Sequence, residues 1–234
     1  DNIPYQYCAY RMLEELVPMR AIEYQSNRHN QGVGYASFRF AAEMHAAWLL
    51  RRLYDKEVFD PSIKTIGYYW AYLRAPDGSI LLDGDGSRHN GYWQSPLTSF
   101  LCYTYSGDPL LKAEFEKEGG SVGDPLLFLL LNDPALKAEN RIAQLPLTHY
   151  FKGVLPAMVA RTGWNIGPNS SDVLVEMKGG SKHFGNHQHA DAGSFQIFYR
   201  GDLATDLGMY GFYGTPYDLG FNKRSIAHNT LLIY

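Results

Sequence analysis

The chain has 234 residues, of which 45% are hydrophobic and 19% charged, so it is long enough to bury one large core or two small ones. Its net charge of −3 provides no global basic field, which argues against nucleic acid as a partner. No apolar run reaches the roughly 20 residues of a membrane-spanning helix, so no membrane partner is expected either.

The first part of the chain is predicted to be helical. Apolar side chains recur at helical spacing in six stretches, namely residues 4–24, 35–54, 61–75, 96–105, 109–117 and 124–132. Pro18 is expected to kink or split the first of these, because proline removes a helical hydrogen bond.

The second part, after Pro146, is predicted to form strands. Short runs rich in β-branched and aromatic residues occupy residues 158–164, 173–177, 194–200, 203–206 and 227–234. Helices followed by strands indicate a multidomain α + β protein with two separately layered units. We place the boundary so that residues 1–152 form the helical unit and residues 153–234 begin the strand unit.

One segment of the strand unit carries two histidines two residues apart, His187 and His189. On an extended backbone they would share a face of the sheet. Asp206 and His228 follow at a distance, and two histidines with a carboxylate are a common zinc ligand set. From spacing alone, two polar side chains at a sheet edge are the more ordinary interpretation.

Several motifs together resemble the heparinase II type of polysaccharide lyase, within the heparinase II/III-like family. In chain order they are His29-Asn30-Gln31-Gly32-Val33-Gly34-Tyr35 with Arg39, Ala160-Arg161-Thr162-Gly163-Trp164, Asn186-His187-Gln188-His189, Asp206, and Ile226-Ala227-His228-Asn229. A lone pair of histidines would be a weak signal, whereas this set in the family's order is specific.

The resemblance implies an (α/α) toroid followed by antiparallel β-sandwich domains. This chain would supply an incomplete toroid and the first strands of the sandwich. A further histidine and glutamate of the family would lie before Asp1, and the rest of the sandwich after Tyr234. We therefore expect a segment of a longer protein that is periplasmic or secreted.

The resemblance also implies β-elimination beside a uronic acid, with an acidic polysaccharide as the partner. Tyr35 is the expected acid, His187 the expected base, and Arg39 an aid to the tyrosine from one helical turn away. Asn186 and Tyr210 are the expected substrate-binding residues. The plainer interpretation is a packed core side chain for Tyr35 and Tyr210 and a solvated helix face for Arg39. For His187 it is a metal ligand beside His189.

By the same resemblance, His189, Asp206 and His228 would hold one zinc ion, and His187 would remain free. We expect the zinc to be structural, because the elimination needs no Lewis acid when acid, base and carboxylate-binding groups are present. A homodimer is an open alternative to a monomer.

Two other classes remain open, a cupin-like metalloenzyme and a glycan-binding module without activity. The long helical part argues against the first, and the presence of Tyr35, Arg39 and His187 argues against the second. Basic residues are scattered, which favours heparan sulfate or a less sulfated uronate glycan over heparin. Oligoalginate is the alternative substrate.

Overall fold

The computed structural model describes residues 2–86, 95–180, 182–208 and 210–232. Helices occupy the first part of the chain, and a five-stranded antiparallel sheet follows. The α + β class is thereby confirmed, whereas an incomplete (α/α) toroid and the first strands of a β-sandwich remain expectations. None of the helices in the described ranges combines the length and apolar character needed to cross a bilayer.

Seven α-helices lie where the sequence predicts helical segments. They are α1 (Ile3–Tyr10), α2 (Val17–Tyr24), α3 (Gly32–Tyr54), α4 (Gly67–Leu73), α5 (Pro96–Ser106), α6 (Pro109–Lys117) and α7 (Pro125–Leu131). The last three begin with proline, whose missing N–H is not needed in the first turn. Asp108 and Asp124 cap α6 and α7 by accepting hydrogen bonds from backbone N–H groups.

The predicted interruption near Pro18 is present. A π-helical stretch, Arg11–Leu16, separates α1 from α2, and Pro18 lies in the first turn of α2. Proline cannot donate to the carbonyl four residues before it, so the backbone widens on its N-terminal side. Similarly, the predicted helix 61–75 divides into a 3-10 turn, Pro61–Thr65, and α4.

The helical core is built largely from aromatic side chains on α3, α4 and α5. Phe40, Trp70, Phe100 and Tyr103 are each at most 1% exposed. Their rings meet mainly at tilted or edge-on angles, for example 85° between Phe100 and Tyr103, which is a favoured aromatic geometry.

The sheet is a simple meander in which each strand pairs with the next. Its strands are β1 (Thr148–Phe151), β2 (Ala157–Arg161), β3 (Val173–Lys178), β4 (Phe195–Tyr199) and β5 (Asp202–Ala204). Phe151, Val159, Leu174 and Phe198 are buried, and Phe151 packs edge-on against Tyr69 of α4. The sheet begins just before residue 152, and the domain boundary there stays a prediction.

Two local predictions are wrong. Residues 227–234 were expected to form a strand, but Ser225–Ala227 is a 3-10 turn and residues 228–232 form no strand; Ile233 and Tyr234 lie outside the described residues. The histidine segment is not extended as a strand either, because β4 begins only at Phe195 and Asn186 has a left-handed backbone with φ of 59°.

A buried network of charged side chains joins the helical part to the sheet. Lys178 Nζ on β3 lies 3.0 Å from Asp83 Oδ1 and 2.5 Å from Asp191 Oδ2, and Arg28 lies 2.5 Å from Asp83. Burial alone would raise the pKa of Asp83, but the charges of Arg28 and Lys178 outweigh it and hold that pKa well below its usual range. The network fixes the loops on either side of it, including the one that carries the two histidines.

Candidate active site and metal-binding cluster

The site is organised around a loop that follows α4 and carries Asp83 and Asp85. The backbone N–H of Val33, at the start of α3, donates to the Asp83 carbonyl at 2.9 Å. The backbone N–H of Asp85 donates to the His187 carbonyl at 3.0 Å. The loop thus lies between the tyrosine-bearing helix and the histidine-bearing segment and touches both through main-chain atoms.

Gly32 makes this close approach of the loop to α3 sterically allowed. Its φ is 70°, and a Cβ at this position would lie 1.6 Å from the carbonyl oxygen of Asp83. No other residue can occupy the position without moving backbone.

The carboxylate of Asp85 contacts both histidines of the predicted motif. His187 Nδ1 lies 2.7 Å from Asp85 Oδ2, and His189 Nε2 lies 2.8 Å from Asp85 Oδ1. The Asp85 side chain is fully buried. Burial tends to raise the pKa of Asp85, but hydrogen bonds from His189 and His187 outweigh it, so the pKa is lowered and the carboxylate stays ionised.

His187 packs directly against Tyr35. The ring centroids are 3.5 Å apart and the planes differ by 9°. The Tyr35 hydroxyl lies 3.0 Å from the Tyr210 hydroxyl. Three residues that the resemblance assigns to the site, far apart in sequence, therefore come together, although their roles stay predictions.

The environment of His187 favours its neutral form. Burial lowers the pKa of His187, and the charges of Lys223 and Arg39 lower it further, while Asp85 opposes them. A neutral imidazole with one nitrogen held by a carboxylate presents a free lone pair at the other nitrogen. Such a group can accept a proton.

His189 is also part of a second cluster, which it forms with Asp206 and His228. One ligand atom each from His189, Asp206 and His228 can be chosen so that all three lie within 4.8 Å of one another. His228 Nδ1 lies 2.8 Å from Asp206 Oδ1, and the His228 side chain is 1% exposed. Within the described chain, His189 Nδ1, Asp206 Oδ2 and His228 Nε2 are buried without a hydrogen-bond partner.

This donor set fits a metal ion. Buried polar atoms without partners are costly, and a cation would satisfy the ones that converge here. Two imidazoles and a carboxylate are ligands that zinc accepts. The three residues are those that the resemblance assigns to zinc.

Arg39 and Asn186 are exposed residues near the site. Arg39 is an exposed residue of α3, and its guanidinium lies 6.0 Å from the Phe38 ring centroid. No hydrogen bond or ion pair joins Arg39 to another described residue, and its expected influence on Tyr35 stays a prediction. Asn186 is exposed and directly precedes His187.

Lys223 and Tyr213 complete the surroundings of His187, and sequence reasoning missed both. Lys223 Nζ lies 3.1 Å from Asp85 Oδ2, 3.0 Å from Asp218 Oδ2 and 4.1 Å from the Tyr213 ring centroid. The Tyr213 ring centroid is 5.0 Å from that of His187. Lys223 therefore places a positive charge behind the carboxylate that holds the histidines.

A cavity of about 270 Å³ opens beside these residues. Its lining includes Asn186, Tyr213, Lys223 and Arg224. It combines an aromatic face, an amide and two cations, a set suited to an acidic sugar.

Comparison with known proteins places these observations in a family. Residues 160–234 match the family model described as heparinase II/III-like, C-terminal. The matched range contains both histidines, Asp206 and His228. None of the curated proteins compared with the chain matches it significantly.

Solved structures share the fold over nearly the whole chain. A structure described as the heparinase III BT4657 gene product superposes with a TM-score of 0.57 at 16% identity over 94% of this chain. A mutant of the heparan sulfate lyase HepC from Pedobacter heparinus superposes with a TM-score of 0.54 at 13% identity over 92% of this chain. This chain spans 31% of the length of each of those two structures.

Proposed function

Residues 160–234 belong to the heparinase II/III-like family, and from that premise we propose that the chain is part of a polysaccharide lyase. The proposed substrate is a uronic-acid-containing glycosaminoglycan of the heparin or heparan sulfate type. The proposed reaction is β-elimination, with Tyr35 and His187 as acid and base.

The reaction breaks two bonds of the uronate and forms one double bond. A base removes the proton from C5, the C4–O bond breaks, and C4 and C5 become doubly bonded. The departing C4 oxygen takes a proton from an acid. Because the C5 proton is only weakly acidic, donors or cations must also stabilise charge that develops on the neighbouring carboxylate.

The observation that carries the proposal is the arrangement of His187 between Asp85 and Tyr35. Asp85 accepts the Nδ1 proton at 2.7 Å, which leaves Nε2 available to accept the C5 proton. An acidic side chain behind an imidazole is the usual way to hold a histidine base in one orientation.

Tyr35 is the proposed acid. Its ring stacks on His187, and its hydroxyl is within hydrogen-bond distance of only one described side chain, that of Tyr210. Burial and the hydrogen bond with Tyr35 raise the pKa of Tyr210, so Tyr210 stays protonated at neutral pH and can orient the Tyr35 oxygen.

Arg39 and Asn186 are proposed to act on the substrate carboxylate. Arg39 has no described anionic partner and lies close enough to His187 for its charge to lower the His187 pKa. Asn186 borders the cavity that Lys223 and Arg224 also line. An adjoining sugar of the polymer would bind in that cavity.

We also propose that His189, Asp206 and His228 bind one zinc ion. When bound, the ion would supply a structural cross-link between the histidine segment, the region after β5 and the turn before His228. The acid and base assigned above need no help from it. A periplasmic or secreted location is part of the same proposal.

The direct test is formation of unsaturated product by the full-length protein. Heparan sulfate, heparin and alginate are incubated separately with it, and ultraviolet absorbance of the new C4=C5 bond is followed, with His187→Ala as the inactive control. We expect product from heparan sulfate above all. Product from alginate alone would reassign the substrate, and binding without product from any polymer would refute the lyase.

A further inference from the structure

We propose that Asp85 is a positioning residue that gives the two neighbouring histidines different tasks. It does so by holding the ring proton of His187 on Nδ1 and the ring proton of His189 on Nε2. That His187 acts as a base and His189 as a metal ligand rests on the proposed function. The test of the two tautomers does not depend on lyase activity.

The geometry offers one carboxylate to two rings. His187 Nδ1 and His189 Nε2 lie 2.7 and 2.8 Å from different oxygens of Asp85. An ionised carboxylate only accepts hydrogen bonds, so each contacting ring nitrogen must carry a proton. A neutral imidazole carries one ring proton, and the lone pairs are therefore at His187 Nε2 and His189 Nδ1.

The lone pairs on His187 Nε2 and His189 Nδ1 lie in different surroundings. His189 contributes one ligand atom to the group formed with Asp206 and His228, and Nδ1 is its buried nitrogen without a hydrogen-bond partner. The His187 ring instead lies against Tyr35. Opposite tautomers two residues apart thus separate a metal ligand from a proton acceptor, although both rings touch the same side chain.

Asp85 is itself held firmly enough to select tautomers. It is 0% exposed, and its own backbone N–H donates to the His187 carbonyl. Lys223 Nζ approaches the same oxygen that faces His187, at 3.1 Å. Because an ammonium group only donates hydrogen bonds, the atom of residue 85 that faces Lys223 must be an acceptor.

Lys223 makes the effect of Asp85→Asn predictable. The amide has nearly the shape of the carboxylate but only one oxygen. Lys223 should keep that oxygen on the His187 side, which leaves the NH₂ group facing His189 Nε2. His189 must then move its proton to Nδ1, the nitrogen needed for metal, whereas His187 keeps its wild-type tautomer.

The test is ¹⁵N NMR of ring-labelled histidines in the metal-free full-length protein, which distinguishes a ring nitrogen that carries a proton from one that carries a lone pair. In the wild type we expect the proton on Nδ1 of His187 and on Nε2 of His189. In Asp85→Asn we expect His189 alone to change tautomer and zinc affinity to fall by about 10–100-fold, the usual effect of losing such a supporting carboxylate.

Asp55→Asn is the matched control, since Asp55 is an exposed residue with a left-handed backbone that asparagine tolerates, at the end of α3. It should change neither spectrum nor zinc affinity. The opposite tautomer of either ring in the wild-type protein would overturn the inference without any variant. Unchanged tautomers and zinc affinity in Asp85→Asn would overturn it as well. Lack of lyase activity with the expected spectra would refute only the proposed function.

Discussion

The imidazole ring of His187 lies face to face with the phenol ring of Tyr35, with centroids 3.5 Å apart. Stacking limits the rotation of both rings, and Asp85 and Tyr210 restrain their polar atoms. The spacing between the two groups is therefore fixed by the fold, and in the proposed elimination this would reduce the entropy lost on reaching the transition state.

Tyr35→Phe tests the proposed acid. The ring and its stacking on His187 remain, and only the hydroxyl is lost. We expect unchanged thermal stability and turnover reduced by at least about 100-fold, the usual scale for a lost general acid or base. Steady-state kinetics on heparan sulfate and a melting curve measure the two effects, and near wild-type turnover would show that Tyr35 only packs.

His187→Ala separates a base from a metal ligand. Because His189, Asp206 and His228 remain, zinc content and melting temperature should stay near those of the wild type. Turnover should fall about 100-fold or more, and more on one C5 epimer, since the two epimers present the proton to opposite faces. Rates on glucuronate-rich and iduronate-rich substrates measure this, and loss of metal together with activity would make His187 a ligand.

His189→Ala should instead affect metal and stability together. At a zinc concentration about 100 times the dissociation constant, bound metal stabilises a fold by about 2.7 kcal/mol, and that contribution would be lost. The measurements are elemental analysis and melting curves with and without chelator. His45→Ala, on the exposed face of α3, is the matched control and should retain metal. An active wild-type protein without metal would contradict the zinc site.

Glu118, at the end of α6, should make stability depend on pH. Burial raises the pKa of Glu118, whereas the hydrogen bond from Ser99 and the charge of Arg74 lower it. Burial has the larger effect, and the resulting pKa is about 8. A raised pKa means that the folded state holds the proton more tightly than the unfolded chain. The resulting stability is complete below the ordinary value of 4.5 and is lost as pH rises to about 8.

Glu118→Gln should remove this part of the pH dependence, because the amide does not ionise. We expect the melting temperature of the wild type to decline more steeply than that of the variant between about pH 5 and pH 8. Over this range the unfolded chain releases the Glu118 proton and the folded protein still holds it. Parallel curves would show that Glu118 titrates normally in the folded protein.

Much of the architecture could be predicted from local sequence. The proline-led helices α5, α6 and α7 and the alternation in β4 are short-range signals, and the structure confirms them. Residues 227–234 were assigned to a strand because they end in an apolar run, but such a run does not by itself specify a strand. There the Asn229 side chain donates to the carbonyls of Phe195 and Thr205.

The candidate site could be predicted only where a family motif covers it. Asp85 lies in a loop rich in glycine and aspartate, and its nearest functional partner is 102 residues away in sequence. Nothing local distinguishes it from Asp83, whose carboxylate pairs with Arg28 and Lys178. Only the packing of the loop between α3 and the histidine segment gives the two aspartates different partners.

Gly32 determines how tightly that loop can pack. Because the Asp83 carbonyl occupies the space of a Cβ at this position, the distance from the tyrosine helix to the Asp85 loop is set by contact between two main chains. Side chains around the cleft can therefore vary in size while Tyr35 and His187 keep their spacing. A single added methyl group at position 32 would collide with the Asp83 carbonyl and push these two main chains apart.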